Sequence, residues 1–237
     1  MNAFHRVCIT LVFLSCWSVW GLAGEVTGTV KWEGPVPKLR PIKMDADPVC
    51  EAHHPDTMPV SETLVLGDGN TMGNIVVHIK SGLPDKKYGP PKDAAVFDQR
   101  GCIYIPHVLG VMVDQDVKIL NSDGILHNVN VGATENRGFN LGMPKGTTEA
   151  VKSFSRPEFP IDVKCNVHPW MKAYIVVFEH PFFSVTAEDG KFTIKNLPPG
   201  TYEVEAWHER AGTRKASVTI AADGGTQTVD FTFSRPK

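Results

Sequence analysis

The sequence predicts an all-β protein. Eighteen prolines and 21 glycines are spread through its 237 residues and separate short apolar runs, and both residue types favour turns. Within the runs, apolar and polar residues alternate with a period of two, as expected when one face of a strand is buried. No stretch keeps the 3.6-residue period of an amphipathic helix. We therefore expect the core to lie between β-sheets.

The amino terminus, residues 1–23, has the composition of a secretory signal peptide. Arg6 supplies a positive charge, residues 7–20 are largely apolar, and Gly21-Leu22-Ala23 resembles a cleavage site. The apolar run is shorter than the roughly 20 residues that a spanning helix needs, so an uncleaved anchor is the weaker alternative, as is lipid attachment at Cys16. We predict cleavage after Ala23 and a periplasmic or secreted protein with no membrane span in the mature chain.

Charge gives little information about partners. The formal net charge is −2 and becomes −3 when Arg6 is removed. The sequence contains no basic patch and no glycine-rich phosphate loop, so a nucleic-acid partner is not predicted.

Potential metal ligands are concentrated in the seven residues Cys-Asn-Val-His-Pro-Trp-Met that begin at Cys165. Cys165, His168 and Met171 offer a thiolate, an imidazole and a thioether, and His127 lies upstream. Thiolate and thioether suit Cu(I) and imidazole suits Cu(II), so this set is typical of a blue-copper electron-transfer centre with one ion. Each residue alone has an ordinary alternative, as inert core, surface histidine or packing methionine.

Strand alternation predicts how these residues meet. The run 159–165 is apolar at odd positions, which turns Cys165 inward, and 171–177 resumes the alternation with Met171 on the inward face. Two antiparallel strands joined by so short a loop place both sulfurs at one end of a sandwich. His127 begins another alternating run and is expected at the same end, on an adjacent strand.

The remaining cysteines suggest a disulfide. Beyond the signal peptide only Cys50, Cys102 and Cys165 remain. If Cys165 binds a metal, Cys50 and Cys102 form a possible disulfide in an oxidising compartment. A second metal site in Cys50-Glu51-Ala52-His53-His54 is the alternative. His107 is a further possible ligand.

Residues 94–180 resemble a cupredoxin, and the compact loop after Cys165 resembles that of amicyanin more than the longer loops of plastocyanin or azurin. The resemblance is carried by 101–108, 111–121, 127–129 and the Cys-x2-His-x2-Met loop. It implies a Greek-key β-sandwich, copper bound by His127, Cys165, His168 and Met171, and electron transfer through an exposed edge of His168. It also implies that Asn128 ties the strand of His127 to the cysteine loop. Pro169 cannot donate an N–H to the thiolate.

The rest of the chain resembles a carboxypeptidase regulatory-like, transthyretin-type β-sandwich. The resemblance is carried by strands separated by turn residues in 189–233, by the opening strand 26–34 and by the core strand 74–80. We expect a second, smaller sandwich that is discontinuous, built from 24–93 and 181–237, with the copper domain 94–180 inserted. A contiguous cupredoxin followed by a short β-domain is the simpler alternative. This sandwich implies no chemistry of its own.

The predicted function is single-electron transfer between redox protein partners, with Trp170 and Met143 as candidate docking surface around His168. The alternative is a non-redox copper carrier or an extracellular binding or adhesion module. An enzyme is not predicted, because a multicopper oxidase needs paired His-x-His motifs and a dinuclear copper site needs a second cysteine in the loop. Serine-histidine-aspartate, paired-carboxylate and HExxH motifs are not identifiable either.

Overall fold

The structure is a computed structural model that describes residues 22–235. Residues 1–21 of the predicted signal peptide lie outside the described part. In the described range, one helical turn, α1 (Pro48–Ala52), and a 3-10 turn (Asp68–Asn70) accompany the strands. The strands are β1 (Gly24–Glu33), β2 (Val76–Ser81), β3 (Ala95–Arg100), β4 (Ile103–Ile105), β5 (Val108–Met112), β6 (Val117–Asn121), β7 (His127–Val131), β8 (Phe139–Met143), β9 (Glu149–Lys152), β10 (Glu158–Lys164), β11 (Lys172–Phe178), β12 (Phe183–Val185), β13 (Lys191–Leu197), β14 (Gly200–His208), β15 (Gly212–Ile220), β16 (Gly225–Thr228) and β17 (Phe231–Ser234).

The strands form four sheets, which confirms the predicted all-β class. One sheet has the order β13-β1-β16 with β17 also paired to β1, and a second has the order β12-β2-β14-β15. The other two sheets have the orders β5-β11-β10-β7-β8 and β4-β3-β6-β9. Alternating apolar side chains from each pair of sheets fill the space between them, as in a β-sandwich.

Each sandwich has its own hydrophobic core. The first core takes side chains from β1, β2, β13, β14, β15 and β17, with Val30, Ile79 and Phe233 almost completely buried. The second takes side chains from β3 to β8, β10 and β11, with Phe97 and Ile161 completely buried. The candidate metal ligands lie at the edge of the second core.

Residues 41–60, which we call the strap, leave the first sandwich and cover one end of the second. Pro41 and Val60 pair at the two ends of this segment. Between them, Met44 and Cys50 are buried in the core of the second sandwich. The sequence-based boundaries assigned this stretch to the first sandwich, since its sequence contains no strand pattern that indicates where it packs.

A third apolar cluster joins the two sandwiches face to face. It contains Val76 and Trp207 from the first sandwich and Val108, Val176 and Phe178 from the second. This contact explains why β2, β11 and β14 carry consecutive buried residues instead of a strict alternation.

Candidate metal centre

The cysteine loop closes the hairpin between β10 and β11. These strands are antiparallel, and their last pair is Lys164 with Lys172. The Cys165 N–H donates to the Met171 carbonyl at 3.2 Å, and the Met171 N–H donates to the His168 carbonyl at 3.0 Å. Cys165 and Met171 therefore lie side by side at the sandwich end. Both are buried in the second core, at 3% and 1% exposure, as the strand alternation predicts.

His127 reaches the same end from the neighbouring strand. It is the first residue of β7, which pairs antiparallel with β10 through Val131 and Val163. Because the strands run in opposite directions and pair near the carboxyl ends of both, the start of β7 extends past the end of β10 and lies beside the cysteine loop. His127 is completely buried, and its position agrees with the prediction.

The structure brings three predicted ligand atoms together. One nitrogen from His127, one from His168 and the sulfur of Cys165 lie within 4.8 Å of one another. The two histidine Nδ1 atoms are 2.9 Å apart, and Cys165 Sγ is 3.9 Å from His168 Nδ1. All three side chains are buried, so the donor atoms face one another and not solvent.

Two carboxylates hold the outer nitrogens of the histidines. His127 Nε2 lies 2.8 Å from Asp123 Oδ2, and His168 Nε2 lies 3.2 Å from Asp47 Oδ2. Since a carboxylate only accepts hydrogen bonds, each Nε2 carries a proton. The two Nδ1 atoms are therefore the nitrogens available to an ion.

Sequence reasoning missed both carboxylates. Asp123 lies only four residues before His127, so a contact between the two could have been predicted. Asp47 lies 121 residues from His168, and nothing in the sequence relates the two residues.

Charge is distributed so that the metal-free site favours a thiolate. Burial raises the pKa of the Cys165 thiol, but bonds from His127 and from backbone N–H groups lower it to about 6. One of these is the His168 N–H, 3.3 Å from the sulfur. Burial lowers the pKa of His127, whereas Asp123 and the neighbouring thiolate raise it to about 9. A thiolate is the form that binds a metal ion.

Asn128 lies where the cupredoxin resemblance places it. Its Oδ1 accepts from the Asn166 N–H at 2.7 Å and lies 3.4 Å from Cys165 Sγ. Its Nδ2 donates to Asn140. Asn128 therefore connects β7 to the cysteine loop and to β8, and so fixes the spacing between His127 and Cys165.

The surroundings of His168 differ from the expectation. His168 is only 2% exposed, because Asp47 on the strap covers its outer nitrogen. The prediction that an edge of His168 is exposed is therefore wrong. Met143 is completely buried, and its sulfur accepts from Gln99 Nε2 at 3.1 Å. The prediction that Met143 is part of a docking surface is therefore also wrong. The sequence could not show this, since β8 places Met143 opposite His127 inside the sheet.

Trp170 and Pro169 lie at the surface side of the site. Trp170 is half-buried, with its ring centroid 5.1 Å from that of His168, and its Nε1 donates to the Cys102 carbonyl at 3.0 Å. Pro169 is exposed. Both line a cavity of about 540 Å³ that also contacts Met171 and Lys172.

Cys50 and Cys102 form a disulfide bond that ties the strap to the turn between β3 and β4. Cys50 is thus not available to a second metal site with His53 and His54. His107 lies elsewhere, with its Nε2 2.8 Å from a Glu209 carboxylate oxygen, and does not join the ligand cluster.

The donor set fits a copper ion. Nitrogen and sulfur ligands bound at about 2.0–2.3 Å stand about 3–4 Å apart around a tetrahedral ion, and the observed separations of 2.9 and 3.9 Å are close to this range. Two imidazoles and a thiolate in a buried site are a typical blue-copper set when a weak axial methionine is added. Met171 is the predicted source of such a ligand, and its carbonyl accepts from the Cys165 N–H.

Comparison with known proteins bears on the two resemblances. The family model of the carboxypeptidase regulatory-like domain matches residues 168–234, which confirms that resemblance. The match begins at His168 and so includes β11 as well as β12 to β17. No curated protein sequence matches the chain. No helix in residues 22–235 has both the length and the apolar character for crossing a bilayer.

Solved structures that are similar to part of this chain include a nitrite reductase, an amicyanin variant and a purple cupredoxin. A copper-containing nitrite reductase from Thermus scotoductus SA-01 is 19% identical, with 42% of this chain and 26% of that chain covered and a TM-score of 0.35. A variant of amicyanin in its Cu(I) form is 23% identical, with 43% and 97% covered and a TM-score of 0.32. A purple cupredoxin from Nitrosopumilus maritimus is 19% identical, with 35% and 98% covered and a TM-score of 0.30. This chain thus spans about a quarter of the nitrite reductase.

Proposed function

We propose that this chain is an exported copper protein that carries single electrons between redox protein partners. The ligands of the one copper ion are His127, Cys165, His168 and Met171. The observation that carries the proposal is the convergence of two imidazole Nδ1 atoms and a thiol in one buried site. The inserted domain of residues 94–180 holds the ion, and the discontinuous sandwich supports it.

The residues of the site would keep its geometry constant. Copper supplies a one-electron couple between Cu(I) and Cu(II). Asn128 fixes the distance between the strand of His127 and the loop of Cys165, and the His168 N–H stabilises the thiolate. Burial keeps water and oxidants away from the sulfur. Since little has to move, electron transfer requires little reorganisation.

Electrons would enter and leave on the side of Trp170. The outer nitrogen of His168 is covered by Asp47, whereas the Trp170 ring lies against His168 and is partly exposed. A partner docking on Pro169 and Trp170 approaches the site through this ring. The exposed cations Arg40, Lys43 and Lys172 line the same cavity and favour a partner with an acidic rim.

A non-redox copper carrier is the second candidate, and the enclosure of the site favours it. Every proposed ligand is at most 3% exposed, which suits retention of an ion. We propose no catalytic role. The disulfide agrees with a periplasmic or extracellular location.

Reconstitution with copper separates the two candidates. We expect the purified protein loaded with Cu(II) to show an intense blue thiolate-to-copper absorption and a reversible one-electron wave. A colourless and redox-silent complex would identify a carrier. Failure to bind copper at all would refute both.

A further inference from the structure

Asp47 connects the strap to the candidate copper ligands. Its Oδ1 caps α1 by accepting from the Val49 N–H at 2.9 Å and, more weakly, from the Cys50 N–H at 3.4 Å. Its Oδ2 lies 3.2 Å from His168 Nε2. One side chain therefore both begins the helix of the strap and closes the outer side of His168.

Asp123 holds the other histidine in a more rigid setting. Its side chain is only 1% exposed, and it accepts from the Gly101 and Cys102 N–H groups at 2.6 and 2.8 Å. Those two residues form a tight turn with φ of 66° and 55°, which directs successive N–H groups to one anion. The carboxylate that holds His127 is thus fixed before any ion binds.

The disulfide connects the two carboxylates. Cys50 follows Asp47 in α1, and Cys102 donates its N–H to Asp123. A single covalent bond therefore ties the support of His168 to the support of His127, at a point directly beside the ion site.

We propose that Asp47 and Asp123 are positioning residues for the two histidine ligands, and that the strap, which the Cys50–Cys102 disulfide ties to the second sandwich, shields the copper site from solvent. This inference rests on the proposed function. A carboxylate that accepts the Nε2–H fixes the imidazole tautomer and ring orientation and makes Nδ1 more basic. A more basic ligand stabilises Cu(II) more than Cu(I), so both carboxylates hold the reduction potential down.

Neutral variants at the two positions test the electrostatic part. Asp47→Asn keeps an oxygen that caps α1, since asparagine is as good a cap as aspartate, and Asp123→Asn is the second variant. Asp45→Asn is the matched control, because Asp45 is exposed on the same strap. We expect the Cu(II) affinity to fall about 10–100-fold in the two variants. A tenfold loss confined to Cu(II) raises the potential by about 59 mV.

Alkylation of Cys165 in the metal-free protein tests closure without copper. Replacing Cys50 and Cys102 together by serine removes the disulfide without creating a new thiol, so Cys165 is still the thiol that reacts. We expect iodoacetamide to modify Cys165 faster in this variant than in the wild type.

The outcomes are distinct. A wild type that binds no copper refutes the proposed function, whereas the alkylation result still tests the strap. If Asp47→Asn and Asp123→Asn match Asp45→Asn in affinity and potential, the positioning role is wrong. If the alkylation rate is unchanged in the serine variant, the strap does not close the site.

Discussion

The imidazoles of His127 and His168 face each other with their Nδ1 atoms 2.9 Å apart, although 41 residues separate them in the chain. The Nε2 atom of each ring is within hydrogen-bond distance of a carboxylate oxygen, and the Cys165 sulfur lies beside both rings.

Replacing Cys165 by serine should abolish the blue absorption of the copper-loaded protein. The hydroxyl cannot supply the thiolate that gives the charge-transfer band, while the volume change is small. Visible absorption measures the loss, and an unchanged far-ultraviolet circular dichroism spectrum serves as the control for the fold. Retention of the colour would assign the thiolate to another residue.

Replacing Met171 by leucine should keep the colour and raise the reduction potential. Leucine fills a similar volume but removes one donor atom, and this loss destabilises the more highly charged Cu(II) more than Cu(I). Voltammetry measures the shift. Met143→Leu is the matched control, because Met143 is equally buried but its sulfur accepts from Gln99. Equal potentials in both variants would remove Met171 from the ligand set.

The Cys165 thiol of the metal-free protein should titrate near pH 6. Burial raises its pKa, but the bonds from His127 and the backbone N–H groups lower it to about 6 from an ordinary value of 9.0. Ultraviolet absorption of the thiolate follows the titration. In His127→Gln the positive partner is absent, so the midpoint should move up toward 9. A midpoint that stays near 6 would mean that His127 does not stabilise the thiolate.

Glu158 should make the protein less stable in acid. Burial raises the pKa of its carboxyl, but bonds from the Thr134 and Asn136 N–H groups and the Asn136 amide lower it to about 2. Because the folded-state pKa is lowered, the stabilisation is complete above the ordinary value of 4.5 and is lost as the pH falls through 2.

Denaturation of Glu158→Gln measures this effect. Hydrogen bonds to a charged group contribute about 1.5–3 kcal/mol each relative to an unpaired partner, and we expect the variant to lose about 1–3 kcal/mol of unfolding free energy at neutral pH. The difference from the wild type should shrink between pH 4.5 and 2. Glu149→Gln, at an exposed site on β9, is the control. A constant difference across this range would show that the charge of Glu158 is not the cause.

Trp170 should affect the rate of electron exchange more than the potential. Its ring lies against His168, but it does not supply a ligand atom. We expect Trp170→Leu to slow electron self-exchange, measured by nuclear magnetic resonance line broadening, with little change in the visible spectrum. An unchanged rate would place the electron route elsewhere on the surface.

Local sequence patterns predicted the parts of the site that depend on strand geometry. Side chains of a strand alternate between faces, so the positions of Ile161 and Val163 predict that Cys165 turns inward. The same alternation places Met171 beside it across the short loop. An adjacent strand for His127 was also predicted, because His127 begins an alternating run of its own, and β7 pairs with β10.

Packing between distant segments could not be predicted in this way. The strap carries little alternation, and nothing in the sequence around Asp47 indicates that it covers His168. The burial of Met143 depends in the same way on which strand lies opposite β7.

The sequence by itself determined the all-β class, the inward faces of the ligand strands and the choice of donor atoms, because these follow from covalent geometry and residue chemistry over a few neighbouring positions. Only the tertiary structure decided that Asp47 holds His168 and closes it to solvent. That contact joins segments that are far apart in the chain, and its free energy arises only when the sandwiches and the strap have packed together.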